Sequence, residues 1–600
     1  MGLFLTAPFT LAQAQLPIDW ATLDSQADSL VRQHGSVGAS VIVVNRDCTL
    51  FFGGYGHASL ASNRGVTDSS LFVLGSITKT FTALGILRLV QEGKLTLADE
   101  VKTLAPELPI SNQWEDEFPL RIYHLLEHTS GFDELHLKDK SIPVSDDEFP
   151  LIEGLDIVQH SLQTRWKPST GFAYSNVGYL VAGYLIEKVS GKPYNDFMFE
   201  DVLAPLNMRH SSIRLNDIDQ ARLASSYSPS KQALPFKHIF TRPTGSLISS
   251  SNDMAYFLRM LLHKGDPLLN GATFHQFETH HSIEAFAHTE NGYRLGVYPR
   301  FHQGRTWLGH GGSINKYNSE FEYCHALGLG IFVVSNGPNA TKTVDGILSA
   351  FHRLIPEKSE PKPTPPDPPY KGITTIEGYY VLTTPRNQLS YPFTELFTAG
   401  ISVKSDNGKV TASGVNGWTS SLIQTGVNRF SLREYPNQYQ YVFDPSADLL
   451  YTSLGYRYRR IPFWFMATLA CNLMVSLVVI GLSQVSLLIR VVRLIKGQAK
   501  GLSPQLTLEV GASTFLIGGL LYLLSGTIQA VHEPHVVTVG LFLCTIMLPI
   551  LTLLGVIQAF KHRFRNVVIK AWTITLAASM TILSGYLIYW GWFGFAIWSY

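Results

Sequence analysis

The chain has 600 residues, more than one globular domain usually holds, so several units are expected. Its 47 Lys and Arg residues nearly balance 46 Asp and Glu residues, and a net charge of +1 argues against a nucleic-acid or other polyanion partner. Four cysteines in this length exclude a disulfide-stapled scaffold, although a bridge between Cys48 and Cys324 stays open.

The first 15 residues are predicted to be a signal-like segment. Residues 3–11 are largely apolar, and residues 12–14 (Ala-Gln-Ala) have the small side chains of a cleavage site. Met1-Gly2 with Thr6 also fits a myristoylation pattern, which is the poorer interpretation because the next residues are apolar. The segment therefore indicates export.

The first motif with chemical content is Ser-Ile-Thr-Lys, with Ser76 and Lys79 at its ends. It opens a segment, residues 78–92, whose apolar residues fall mostly at helical spacing. A serine at the first turn of a helix and a lysine three residues later share one face, so the hydroxyl has a base within reach. Ser228 and Lys231 match the same pattern, but a proline between them prevents a clean helix start. The context favours Ser76 as the nucleophile.

Two more polar motifs follow in chain order. Tyr174-Ser-Asn176 precedes a helix-like pattern over residues 177–189, and in an extended segment its two outer side chains point the same way. Residues 310–313 (His-Gly-Gly-Ser) come next, before two apolar strand patterns at 319–323 and 328–335. Alone, each motif fits a core tyrosine, a loop asparagine or hairpin glycines. Their order gives them weight.

Together the three motifs and their flanks resemble the class C β-lactamase family, which includes D-amino-acid peptidases, DD-carboxypeptidases and esterases. Residues 122–131 resemble the family's His-Leu-Leu-x-His-Thr-Ser-Gly signature, in which His128 is expected to be structural. Residues 91–97 resemble its helix exit, and residues 244–254 its second-half signature. The resemblance covers roughly residues 20–355. It implies an α/β serine β-lactamase-like fold, with an antiparallel sheet flanked by helices and a helical subdomain.

The resemblance also implies catalytic roles. Ser76 is the nucleophile of a two-step acyl transfer. Lys79 and Tyr174 are the expected general acid and base, and the sequence leaves open which of them is the base for acylation. No metal and no cofactor is expected.

Substrate-binding roles follow in the same way. The backbone N–H groups of Ser76 and Ser313 are expected to hold the oxyanion, and Gly312 lets a substrate backbone approach closely. Asn176 is expected to bond the substrate amide. His310 stands where the family usually has the lysine of a Lys-Thr/Ser-Gly motif, so efficient β-lactamase activity is not expected. We expect His310 to help hold the tyrosine or a substrate carboxylate.

The chain changes character after the last motif. Residues 356–370 are rich in proline and read as a stiff linker. Residues 371–460 alternate apolar and polar residues between turn signals, which predicts a small all-β antiparallel module without a catalytic constellation of its own. The predicted organisation is a signal-like segment (1–15), the hydrolase domain (16–355), the linker (356–370), the β module (371–460) and an α-helical membrane domain (461–600).

Four segments without any charged side chain predict four membrane spans: 461–489, 510–531, 536–560 and 571–600. The first and third connectors are basic, with Arg490, Arg493, Lys496 and Lys500 in one, and Lys561, Arg563, Arg565 and Lys570 in the other. Basic loops stay on the cytoplasmic side, so the catalytic domain is expected to face outward. Three basic residues before the first span oppose this: Arg457, Arg459 and Arg460.

These features predict a membrane-anchored, exported serine hydrolase. We expect a peptidase or carboxypeptidase acting on D-amino-acid-containing peptides of the cell-wall or prodrug type. The same residues would also serve a carboxylesterase or a weak β-lactamase. A β-lactam-binding sensor fits less well, because the two inner loops are too short to hold an effector domain. The expected partners are a small peptide or ester substrate and the lipid bilayer, with no nucleic acid and with the oligomeric state open.

Overall fold

The computed structural model describes residues 18–286, 290–358, 376–406, 409–426, 428–433, 435–498, 503–525 and 534–596. An α/β domain, a β-barrel module and four long helices follow one another along the chain. The predicted signal-like segment and most of the predicted proline-rich linker lie outside the described residues.

A seven-stranded antiparallel sheet is the centre of the α/β domain. The strands of this domain are β1 (Gly38–Val44), β2 (Thr49–Ser59), β3 (Arg64–Gly65), β4 (Leu71–Val73), β5 (Ser226–Tyr227), β6 (Ala233–Leu234), β7 (Ile248–Ser250), β8 (Tyr298–His302), β9 (Arg305–Ile314), β10 (Tyr317–Cys324) and β11 (Leu329–Asn336). Their order in the large sheet is β3-β2-β1-β11-β10-β9-β8, while β4–β7 and β5–β6 form two small pairs. The two apolar patterns after residue 313 are confirmed as β10 and β11.

Helices cover both faces of this sheet. They are α1 (Trp20–His34), α2 (Thr78–Gln91), α3 (Val101–Leu104), α4 (Ile122–Leu126), α5 (Leu137–Ser141), α6 (Leu151–Ile157), α7 (Asn176–Ser190), α8 (Tyr194–Phe197), α9 (Arg242–Gly245), α10 (Ser251–Leu262), α11 (Gly271–Phe277) and α12 (Ala340–Arg353). Successive residues of a strand face opposite sides, so Val41 and Val43 pack with α1 and α12, whereas Ile42 and Val44 join the core that contains α2. These features confirm the predicted α/β fold.

The predicted β module is a closed eight-stranded barrel. Its strands are β12 (Gly378–Leu382), β13 (Ile401–Asp406), β14 (Lys409–Gly414), β15 (Thr419–Gly426), β16 (Arg429–Leu432), β17 (Tyr435–Asp444), β18 (Leu449–Tyr451) and β19 (Arg457–Ile461), with the short α13 (Glu395–Thr398) between β12 and β13. Each strand pairs with the next, and β12 also pairs with β19, which leaves no free sheet edge. Tyr380, Phe430 and Phe443 fill its interior.

Four helices long and apolar enough to cross a membrane follow the barrel. They are α14 (Phe463–Ile495), α15 (Pro504–Ser525), α16 (Val536–Lys561) and α17 (Val567–Tyr589). The prediction placed the second span after Glu509, because charged side chains are costly in lipid. Instead α15 begins before this residue. The Glu509 carboxylate is fully buried between helices, where it accepts hydrogen bonds from Arg490 Nε (3.1 Å) and Gln505 Nε2 (2.9 Å).

The barrel is joined to the α/β domain by backbone hydrogen bonds and an apolar seam. Phe172 N donates to Gly455 O (2.9 Å), and Gly292 N donates to Ser453 O (2.7 Å). On the same side, Val442 of the barrel packs in one buried cluster with Ile283 and Phe286. The loop between β12 and α13 makes a contact of its own with the α/β domain, because Gln388 N donates to Asp133 Oδ1 (3.2 Å).

The barrel also contacts the four-helix bundle. Leu389, in the loop between β12 and α13, lies in a buried cluster with Leu541 of α16 and with Trp592. Tyr586, near the end of α17, donates its hydroxyl to Pro392 O in the same loop. The β12–α13 loop therefore contacts both the α/β domain and the end of the bundle.

Candidate active site

Ser76 lies where a strand turns into the most buried long helix of the domain. It occupies a 3-10 turn, Gly75–Ile77, between β4 and α2. Gly75 has φ +56°, and a Cβ there would come 2.8 Å from Ser313 N. Only a glycine fits both the positive φ and this close approach. The turn therefore brings Ser76 next to the end of β9.

Lys79 is the nearest base to this serine. Its side chain is fully buried, and Nζ donates to Ser76 Oγ (3.1 Å) and to the carbonyl oxygen of Thr244 (2.9 Å). Burial lowers the pKa of Lys79 to about 7, while the nearby charge of Glu134 raises it and that of Arg386 lowers it further. Near neutral pH a large fraction of this amine is uncharged, so it is able to accept the serine proton.

The ring of Tyr174 lies close to the side chains of both Lys79 and Arg386. Lys79 Nζ lies 5.0 Å from the centroid of its ring, and Arg386 Cζ lies 4.7 Å from the same centroid. Burial raises the pKa of Tyr174, and a hydrogen bond with Ser76 only partly offsets this. Tyr174 is therefore a neutral phenol at physiological pH. It is able to donate a proton, whereas Lys79 is better suited to remove one.

The end of β9 offers an open edge beside Ser76. A two-residue turn, Asn315 and Lys316, joins β9 to β10, and both residues have positive φ (43° and 67°). The pair that closes such a turn is hydrogen-bonded and pairs alternate, so the N–H of Ser313 faces away from β10. On that side β8 pairs with β9 only as far as Gly309. The N–H of Ser313 thus lies on the edge of β9 that neither β8 nor β10 pairs with, beside the turn that carries Ser76.

Gly312 is required by the protein's own backbone. A Cβ at this position would lie 1.8 Å from the carbonyl oxygen of Leu74. The sequence suggested that this glycine lets a substrate approach; in the structure it lets β9 pack against the turn that carries Ser76. Ser319 Oγ, on β10, donates to the same Leu74 oxygen (2.7 Å) and fixes this contact.

Asn176 leads to two residues that no motif marked. It is the first residue of α7, and its Nδ2 donates to Glu134 Oε1 (2.9 Å). Glu134 is only 2% exposed, and its Oε2 accepts from Nε (3.0 Å) and Nη2 (2.7 Å) of Arg386. Arg386 lies in the β12–α13 loop of the barrel module. The site is therefore assembled from two units of the chain.

His310 is held in a neutral form at the back of the site. Its Nε2 lies 2.8 Å from Tyr293 Oη, and its Nδ1 lies 2.6 Å from Gly311 O. Burial lowers the pKa of His310 to about 3, and Lys79 adds to this effect. The sequence predicts that this histidine helps to hold Tyr174 or a substrate carboxylate. The ring centroids of His310 and Tyr174 are 6.4 Å apart, and the hydrogen-bonded tyrosine is Tyr293 instead. It supplies no positive charge to a substrate.

His128 packs beneath the site. Its ring centroid lies 4.1 Å from that of Tyr174, and its Nδ1 accepts the backbone N–H of Ser175 (3.0 Å). Its contacts are those of a side chain that positions the tyrosine.

The motifs that the sequence analysis set aside lie elsewhere. Ser228 and Lys231 occupy an exposed turn between β5 and β6, where Lys231 has φ +59°. All four cysteines are free thiols.

Comparison with known proteins fits this geometry. A family model described as "Beta-lactamase" matches residues 23–350, which is more than half of the chain. The chain belongs to the β-lactamase family. The predicted relation to this family is therefore confirmed.

Two relatives illustrate the similarity. The chain is 26% identical over 252 residues to Protein flp of Staphylococcus aureus (strain NCTC 8325 / PS 47), which is 40% of this chain and 49% of that protein. It is 30% identical over 253 residues to a β-lactamase of Yersinia enterocolitica, which is 42% of this chain and 62% of that protein. The chain spans about half the length of the first of these relatives.

Among solved structures, the octameric penicillin-binding protein homologue from Pyrococcus abyssi is 22% identical, with a TM-score of 0.49. The match covers 74% of this chain and 100% of that one.

Proposed function

We propose that this β-lactamase-family protein hydrolyses amide bonds of D-amino-acid-containing peptides through an acyl-enzyme on Ser76. The observation that carries the proposal is the fully buried Lys79 amine, 3.1 Å from Ser76 Oγ and with a pKa lowered to about 7. A lysine in this state activates a serine hydroxyl that is otherwise a weak nucleophile at neutral pH.

In the proposed reaction, Lys79 takes the proton of Ser76 while Oγ attacks the carbonyl carbon. The carbonyl π electrons move to its oxygen, which the N–H groups of Ser76 and Ser313 hold as an oxyanion. When the oxyanion collapses, the C–N bond breaks and the Tyr174 phenol gives its proton to the leaving amine, while protonated Lys79 returns the serine proton to the Tyr174 oxygen. Water then gives a proton to Lys79 as its oxygen attacks the ester carbonyl carbon, and Lys79 passes that proton to Ser76 Oγ when the C–Oγ bond breaks and the carboxylic acid leaves.

The charges of the site support an uncharged or cationic substrate end. His310 is neutral, and the charge of Arg386 is balanced by Glu134. Neither offers an unpaired cation to the carboxylate of a penicillin or a C-terminal residue. Asn176 is placed to bond an amide. The family resemblance supports the D configuration, and the same residues would also serve a carboxylesterase.

A substrate panel tests this proposal. The full-length protein in detergent is labelled with a fluorophosphonate, and kcat/KM is measured for paired D- and L-aminoacyl amides, matching esters and a penicillin. We expect the D-amide to be preferred and penicillin to turn over slowly. His310→Lys should increase β-lactam acylation relative to amide hydrolysis. Rapid penicillin hydrolysis by the wild type, or hydrolysis of esters alone, would replace the peptidase assignment.

We further propose that the α/β domain faces the exterior of the cell. The bundle end that contacts the barrel carries aromatic residues such as Trp592, whereas Arg490 and Lys561 lie toward the opposite end. Two of the three residues that oppose this orientation are engaged within the protein: Arg457 Nη1 donates to Thr170 Oγ1 (2.8 Å), and Arg460 pairs with Asp448.

Reporter fusions test the orientation. A fusion after Gly497 or after Arg565 should report a cytoplasmic location. Activity of a periplasmic phosphatase fused after Gly497 would contradict it.

A further inference from the structure

Two histidines and an aspartate form a compact cluster beside the candidate active site. His136 immediately precedes α5, Asp139 lies within α5, and His160 lies in a 3-10 turn nearby. One ligand atom of each residue lies within 4.8 Å of the others. His136 also lines a cavity of about 270 Å³ that reaches Glu134. The cluster therefore borders the wall of the site.

The aspartate has an oxygen that no described residue satisfies. The Asp139 side chain is 0% exposed. Its Oδ2 accepts the backbone N–H of His136 (2.8 Å) and lies 3.2 Å from His160 Nε2. Its buried Oδ1 has no hydrogen-bond partner among the described residues. A buried polar group without a hydrogen-bond partner destabilises the fold, and more so when it is charged, so a ligand on this oxygen would be strongly favoured.

The donor set suits a metal of the zinc type. Zinc binds histidine nitrogens and carboxylate oxygens, and a metal-binding histidine usually turns its other ring nitrogen to a carboxylate. Here His136 Nε2 lies 3.3 Å from Asp133 Oδ2, and Asp133 is held in turn by Arg165 Nη1 (3.0 Å). The His160 side chain is 22% exposed and offers a path for an ion and a water ligand. We propose that His136, Asp139 and His160 bind one divalent transition-metal ion.

A second cluster of the same residue types already contains a positively charged side chain. His302, Glu322 and His352 are equally close together, but Arg300 Nη1 lies 3.1 Å from Glu322 Oε1. The two imidazole rings are stacked with centroids 3.7 Å apart at 17°, closer and more nearly parallel than the rings of His136 and His160 (4.3 Å, 37°). This cluster provides a matched control from the same chain.

The bound ion would stabilise the wall of the active site without taking part in the reaction. It would connect α5 to the turn that carries His160. Glu134 lies two residues before His136 and holds both Asn176 and Arg386. The ion is thus expected to order the segment on which these contacts depend, whatever substrate Ser76 acts on.

Metal stoichiometry of the full-length protein in detergent tests the proposal. The protein is treated with a chelator, reloaded with Zn²⁺ or Co²⁺, and analysed by elemental mass spectrometry and visible absorption. We expect one equivalent of zinc, a tetrahedral Co²⁺ spectrum and a higher Tm in the loaded protein. Asp139→Asn and His160→Gln should each weaken binding at least 10-fold.

His302→Gln is the matched control and should leave the stoichiometry and the Co²⁺ spectrum unchanged. His160→Gln changes a partly exposed side chain, so it remains informative if Asp139→Asn does not fold. A metal content of less than about 0.1 equivalent in the wild type would overturn the proposal, because it is no more than background. Loss of metal in His302→Gln with retention of metal in His160→Gln would also overturn it.

Discussion

The α/β domain and the barrel module contribute to the candidate site in different ways. In the α/β domain, Ser76 and Lys79 lie in one short motif on a helix start, and Tyr174 precedes another helix. The barrel contributes Arg386 from a loop between β12 and α13, and no motif surrounds it. A residue whose position depends on its own helix leaves a local pattern, whereas one positioned by packing between units does not.

The largest expected effect lies in the motif-bearing domain. Ser76→Ala should reduce amide and ester hydrolysis to the uncatalysed background, because no other group forms the acyl-enzyme. Ser228→Ala is the matched control, since Ser228 belongs to the other Ser-x-x-Lys sequence and should keep full activity. Mass spectrometry of the fluorophosphonate adduct identifies the labelled serine. An adduct on Ser228 would reverse the assignment.

Replacement of the base should have the next largest effect. Lys79→Ala should lower kcat/KM by about 10²–10⁴-fold, the usual range for acid–base catalysis. In the wild type, kcat/KM should fall as the pH drops below about 7, because Lys79 is then protonated and cannot take the serine proton. If kcat/KM stayed constant from about pH 5 to about pH 8, another group would be the base.

A smaller effect is expected from the barrel. Arg386→Ala should lower kcat/KM by about 10- to 100-fold, because Tyr174 loses its stacked partner and Glu134 its counter-charge. Since Arg386 lowers the pKa of Lys79 and Glu134 raises it, the acid limb of the pH profile should move to higher pH. Lys409→Ala, an exposed change on the same barrel, is the control. An unchanged profile would mean that the barrel only supports the domain.

The smallest effect is expected at the seam between the two units. Val442→Ala removes two methyl groups from the cluster with Ile283 and Phe286 and should destabilise the protein by about 1 kcal/mol. Thermal unfolding should show a Tm a few degrees lower, with kcat/KM changed less than about twofold. Val415→Ala, at a side chain that is 54% exposed, should leave Tm unchanged. An equal decrease of Tm in both variants would show that the seam makes no specific contribution to stability.

The sequence predicts the α/β fold, the β module and the apolar helices because each depends on patterns repeated along a segment. It also predicts which residues meet at Ser76, since Lys79 and Tyr174 are adjacent to helix starts. It does not predict Glu134, whose role comes from burial against Asn176 and Arg386. The tyrosine that bonds His310 is missed for the same reason, because Tyr293 reaches it only through folding.

The start of α15 shows a second limit. A charge-free window places the span after Glu509, but neighbouring helices surround this carboxylate and supply Arg490 as its partner. The metal-type cluster is similar, because two helices, α5 and α6, separate His136 from His160 and the two histidines have no short ligand spacing. In both cases the neighbours of a side chain decide its role, and those neighbours lie far away in the chain.

The β12–α13 loop limits the distance between the candidate site and the end of the helix bundle. Arg386, beside Tyr174, and Pro392, bonded to Tyr586 at the end of α17, are six residues apart. Six residues of fully extended chain measure about 20 Å, so the Cα atoms of Arg386 and Pro392 cannot lie farther apart than this. Tyr174 lies one arginine side chain beyond Arg386. With the proposed orientation, the loop limits how far the candidate active site can lie from the bilayer. A lipid-tethered substrate must present its scissile bond within the combined reach of this loop and its side chains, whereas a freely diffusing peptide has no such constraint.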